Sequence, residues 1–104
     1  MIPDDEGQFT ALVAFLNARL NDDEQWAKDL RADPPPGVSG IYGLTQRMLS
    51  EVAAKRAIVR CCAARMDEMD VCIVSARAVL ARQVLMDMAV VWDVHPGYRA
   101  EWKP

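Results

Sequence analysis

The chain has 104 residues, 52% of them hydrophobic, and a formal net charge of −3. That length fits one domain with a single core, and the excess of Ala, Val, Leu and Met over five glycines and two phenylalanines favours helix over sheet. The negative balance counts against nucleic acid as a partner, and the acidic opening MIPDDEGQF lacks the basic and apolar regions of an export signal, so the cytoplasm is the expected compartment.

The first predicted element is a helix over 8–31. Phe9, Leu12, Val13, Leu16 and Leu20 fall at i, i+3, i+4, i+7 and i+11, one stripe of a helix, and Asp5 with Gln8 three residues on resembles a capping box. Asn21-Asp22-Asp23-Glu24 interrupts the apolar pattern, but Trp26, Ala27 and Leu30 resume it, so the helix is expected to run through the acidic cluster. The cluster reads as a solvated face. A cation held between it and Glu51 would, in a bundle, also call for a Glu-x-x-His on facing helices, which the chain does not contain.

A linker follows over 33–43, DPPPGVSGIYG, where three consecutive prolines and three glycines exclude a helix. Beyond it come 52 residues without glycine or proline. A single helix of that length would extend roughly 78 Å at 1.5 Å per residue, too long a rod for so small a chain to cover. A break is therefore expected at Met66-Asp67-Glu68-Met69-Asp70, giving helices over 44–66 and 71–93, with Asp70 as the cap of the second. Glu51 and Lys55 form an i, i+4 pair in the favourable order on the first of these.

The third helix has the clearest periodicity. Val71, Val74, Ala78, Ala81, Leu85, Met88 and Trp92 recur at alternating spacings of 3 and 4, a heptad seam and the candidate surface for self-association. Ile73, Ala76, Leu80, Val84 and Val91 form a second apolar set on another face. Two other helices of the same chain cannot cover both, so the remainder is expected to be closed by a second copy or a partner. Arg77, Arg82, Gln83 and Asp87 within the stretch count against a membrane span.

Motifs for phosphate binding, metalloprotease chemistry or a nucleophile elbow are absent from the sequence. Adjacent Cys61 and Cys62 point about 100° apart on a helix and read as reduced thiols. With Cys72 and His95 they are the only soft ligands, at spacings matching no common zinc pairing, so neither metal nor other cofactor is expected.

The chain closes on HPGYRAEWKP. His95-Pro96 should end the third helix, and Pro96 can open a short turn over 96–102 that sets Tyr98 and Trp102 on one face. Two readings stay open. The aromatics fold back as a lid over the end of the bundle, their polar tips finding partners at its edge; or His95, Tyr98, Arg99, Glu101 and Trp102 form a partner epitope, since Trp, Tyr and Arg dominate binding hot spots. Catalysis by His95 lacks an evident nucleophile.

Three blocks, LVAFLNARLNDDEQ, SEVAAKRAIV and the closing HPGYRAEWKP, resemble a family of small proteins of unknown function from actinobacteria and their phages. The last block is the most specific, with Gly97 where relatives usually carry an acid and Lys103 where they carry Arg. The resemblance implies an actinobacterial or actinophage origin, assigns no activity, and marks the C-terminal block as shared among relatives. The expected molecule is therefore a single all-α domain, a bundle of three main helices with a short C-terminal helical turn. Its expected role is that of a non-enzymatic protein-interaction module, a phage-encoded factor binding a bacterial host protein and associating with itself. A small DNA- or RNA-associated regulator using Arg47, Arg56, Arg60 and Arg65 is the alternative.

Overall fold

A computed structural model describes residues 5–67 and 76–104. Three helices, α1 (Asp5–Ala32), α2 (Ile41–Asp67) and α3 (Ala76–Ala89), are followed by single 3-10 turns at Val90–Trp92 and Ala100–Trp102. The molecule is a small all-α bundle, with no strand among the described residues.

The first helix runs through its acidic cluster without a break, and Asp22 and Glu24 find cations within reach. Arg19 pairs with Asp22 at 3.1 Å, and Glu24 receives Lys28 at 3.2 Å and Arg56 of α2 at 2.8 Å. Arg56 also donates to Asn21, so one guanidinium ties the middle of α2 to the middle of α1. Hydrogen bonds from Arg56 and Lys28 hold the Glu24 carboxyl below its ordinary value of 4.5. This tie therefore stabilises the fold above that pH and is lost as acid protonates the carboxylate. Glu51, expected to pair with Lys55, instead accepts from Arg47 at 3.1 Å, one turn earlier on the same face. The capping position before Asp5 lies outside the described residues.

The linker is shorter than its composition suggests. Gly37 and Gly40 adopt φ of 80° and 81°, conformations that favour glycine, and α2 begins directly afterwards at Ile41. Gly43 thus sits in the first turn of α2, where the backbone donors have no intrahelical partner in any case and the cost of glycine is small. Thr45, fully buried, donates to the Ile41 carbonyl at 2.8 Å and accepts from Arg31 Nε at 3.0 Å. Arg31 also lies over the Tyr42 ring, 4.4 Å from its centroid, and so clips the end of α1 onto the start of α2. The expected break at 66–70, with its cap at Asp70, falls at the edge of the described residues, which stop at Asp67 and resume at Ala76; Asp70, Val71, Ile73 and Val74 lie outside them.

The described part of α3 packs beside the N-terminal half of α1 and the C-terminal half of α2. The core lies where all three overlap: Leu12, Leu16 and Leu20 of α1, Val52, Val59 and Cys62 of α2, and Ala81, Leu85 and Ala89 of α3. At the other end the hairpin of α1 and α2 stands alone, its interface filled by Ala27 and Thr45. Hence the elongated outline, 59 × 25 × 18 Å.

Candidate functional site

Two surfaces follow from this arrangement, one where the C-terminal block meets α1 and one between α2 and α3. At the first, Phe15 is the centre. Its ring meets Trp102 at 5.1 Å, His95 at 5.6 Å and Tyr98 at 6.1 Å between centroids, the last two edge-on. Tyr98 and Trp102 also meet edge-to-face at 5.6 Å. One turn further along α1, Arg19 places Nη1 2.9 Å from His95 Nδ1, the same ring nitrogen that accepts the Gly97 N–H at 2.9 Å; the guanidinium also touches Nε2. A Cβ at Gly97 would lie 3.2 Å from His95 Nδ1 and 3.4 Å from Phe15, so the backbone here runs close against the ring of His95.

The block is built from turns rather than a continuous helix. Tyr98 N–H donates to the His95 carbonyl at 2.9 Å and Trp102 N–H to that of Arg99 at 3.0 Å, with Arg99 extended between them. Trp102 is 4% exposed, and Tyr98 and His95 are half-buried, so the aromatics face α1 and form a clamp. Of the five epitope candidates, Arg99 and Glu101 alone are exposed, side by side at 4.0 Å. The expectation that the polar tips find partners at the edge does not hold: Trp102 Nε1 and the Tyr98 hydroxyl are buried with no hydrogen-bond partner among the described residues. Packing of the rings on Phe15 sets their positions, and the polar atoms are carried inward with them. Burial, and secondarily Asp93, pushes the Tyr98 hydroxyl above its ordinary value.

Phe15 and Arg19 were not legible as site residues. Phe15 lies beside the apolar stripe of α1, and the only signal for it was indirect, three C-terminal aromatics in need of an apolar counterpart. The blocks LVAFLNARLNDDEQ and HPGYRAEWKP, which carry the family resemblance, dock on one another here, and Arg56 of SEVAAKRAIV reaches the first of them.

The seam proposed for self-association is turned inward. Ala78, Ala81 and Leu85 are buried against the chain's own helices, and Met88 and Trp92 are partly covered by the same core; Val71 and Val74 lie outside the described residues. Small alanines let α3 approach closely, so its own chain uses this face first. What remains outward is part of the second apolar set, since Val84 packs against the core and Ile73 lies outside the described residues. Leu80 is 65% and Val91 70% exposed, with Ile58 of α2, 43% exposed, on the same side. Between α2 and α3 two hollows of about 230 Å³ and 200 Å³ succeed one another, the first lined by Cys61, Leu80 and Val84, the second by Ile58, Met88 and Val91. Lys55, Arg65 and Arg77 are the charged residues that line them.

The cysteines divide accordingly. Cys61 is exposed and Cys62 buried, and burial, with Cys61 beside it, pushes the Cys62 thiol above its ordinary value of 9.0. Alkylation with iodoacetamide at neutral pH is expected to label Cys61 well before Cys62, since Cys61 is exposed while burial both hides the Cys62 thiol and disfavours its thiolate. Fragment-ion mapping of the modified peptide checks this, and equal labelling of the two would contradict the burial.

Comparison with known families is decisive on one point. The model of a family of unknown function, DUF6221, matches residues 9–104. The chain belongs to this family. The match takes in α1 from Phe9 onward, both hollows and the C-terminal clamp, so the DUF6221 unit is the whole bundle. Comparison with curated proteins and with solved structures returns no match. Among the described residues, no helix of this DUF6221 chain is long and apolar enough to cross a membrane, and no group of three or more His, Cys, Asp or Glu gathers as a metal site.

Proposed function

We propose that the chain is a non-enzymatic protein-interaction module whose contact surface is the outward face of α2 and α3, and that it acts as a phage-encoded factor on a protein of an actinobacterial host. The observation that carries this reading is the exposure of Leu80, Val91 and Ile58 along the two hollows beside α2 and α3. Contiguous exposed apolar side chains of this kind mark interaction sites on otherwise polar surfaces. The phage and host assignment rests on the resemblance of the three sequence blocks.

The chemistry of the remaining candidates points the same way. His95 Nδ1 is occupied as an acceptor by the Gly97 amide with Arg19 lying against the ring, and the Cys62 thiol is shifted away from the thiolate a nucleophile needs. The nucleic-acid alternative loses part of its basic stripe, since Arg47 and Arg56 hold Glu51 and Glu24.

The test is affinity capture from an actinobacterial lysate with the native chain and with Leu80→Asp. Circular dichroism should show the variant folded, because Leu80 is mostly exposed. A defined protein retained by the native chain and lost with Leu80→Asp is the expected result; equal retention by both, or no retained protein, would overturn the reading.

A further inference from the structure

We infer that the C-terminal block is a pH-gated strap, docked on α1 while His95 is neutral and loosened when that ring takes a proton. Two donors are aimed at one nitrogen of the ring: the Gly97 N–H and Arg19 Nη1 each lie 2.9 Å from Nδ1. Neither an amide N–H nor a guanidinium can accept a hydrogen bond, so Nδ1 holds no proton in the docked block and the neutral ring carries its hydrogen on Nε2. Protonation reverses this. It turns Nδ1 into a third donor facing the other two and sets an imidazolium against a guanidinium. His95 is the only histidine of the chain, and imidazole is the side chain that ordinarily changes charge between about pH 5 and 8.

The surroundings keep that repulsion in force. The Arg19 guanidinium carbon lies 5.3 Å from the centroid of the Phe15 ring, and the side chain is 16% exposed, so solvent screens its charge poorly. One acid of α1 is in reach of it, Asp22, but this pairs with the far branch of the guanidinium, Nη2, at 3.1 Å and is itself 68% exposed. The ionisable neighbours in the ring's own segment are Asp93, whose charge is felt at Tyr98, and Tyr98, whose hydroxyl burial pushes up and so keeps uncharged through this range. No carboxylate among the described residues takes a hydrogen bond from the ring, so nothing there rewards the imidazolium. Docking also runs through this residue: the ring meets Phe15 edge-on, the His95 carbonyl accepts the Tyr98 N–H, and Tyr98 packs on Trp102. The contribution of the strap is therefore present while the imidazole is neutral and is lost as pH falls through the ordinary histidine range, about 6.5.

Hydrogen exchange followed by NMR on the full chain tests this, with each rate corrected for the intrinsic pH dependence of exchange. Between about pH 7.5 and about 5.5 the protection of the Trp102 amide, which donates to the Arg99 carbonyl, is expected to fall at least about tenfold, while Val59 in the core of α2 keeps its own. His95→Gln retains an acceptor that cannot ionise, so it should stay docked at both pH values and lose the dependence; acids common to the two chains cancel in the comparison. Arg19→Gln keeps a donor toward Nδ1 without the charge and should reduce the fall. Trp102 protection that stays constant while the His95 ring titrates overturns the switch, and so does a fall that persists undiminished in either variant. An equally steep loss at Val59 overturns it as well, since the whole bundle would then be responding. If His95→Gln fails to dock even at the higher pH, the native and Arg19→Gln chains decide: equal falls overturn the switch, and a smaller fall in Arg19→Gln supports it.

Discussion

Trp102→Ala is expected to destabilise the fold by about 3–5 kcal/mol, the range for truncating a buried tryptophan. Against a total stability of about 5–15 kcal/mol for a domain of this size, that is a large share. The side chain is 4% exposed, packs on Phe15 and Tyr98, and holds the last turn of the chain onto α1. Denaturant unfolding followed by circular dichroism measures the loss, and a change below about 1 kcal/mol would mean that the C-terminal block is not a clamp. Trp102→Phe sharpens the test. It keeps an aromatic ring against Phe15 while removing a buried N–H that has no partner among the described residues, so it should cost clearly less than alanine.

Leu85 and Leu80 offer the second large effect, as a pair. They are the same residue type on the same helix, 0% and 65% exposed respectively. Leu85→Ala should cost about 2–5 kcal/mol through lost burial and the cavity left between the three helices. Leu80→Ala should change stability by no more than about 0.5 kcal/mol, since its side chain is mostly exposed. Equal losses from the two, measured by the same unfolding curves, would mean that α3 presents a different face to the bundle. The Leu80 variant then serves directly in binding experiments, because any effect on partner capture cannot be assigned to unfolding.

Much of the helical plan was legible because it depends on neighbours in sequence. The spacing of Leu12, Leu16 and Leu20 forces a stripe, and the prolines at 34–36 end the first helix wherever the rest of the chain goes. Errors at this level were small: Gly43 falls inside α2, and regular helix ends at Ala89 before two further turns close to His95. The candidate site was less legible. On α3 two apolar faces compete, and periodicity alone ranks the heptad seam first as a surface for company. Ala78, Ala81 and Leu85 instead fill the chain's own interior, and the less regular set of Leu80 and Val91 remains outside. The C-terminal aromatics could be read as lid or epitope until Phe15, far along the chain, appeared beneath them.

By itself, then, the sequence determined the all-helical class and the position of the linker, since propensity, proline geometry and apolar spacing act over a few residues. Only the tertiary structure decided which side of α3 is buried, and that Arg19 and His95, 76 positions apart, meet at the clamp. The physical reason is that burial depends on which distant segments compete for the same apolar surface. A helix that is apolar on two sides carries no local term that ranks them, and the close approach allowed by its alanines does so only when α1 and α2 are in place.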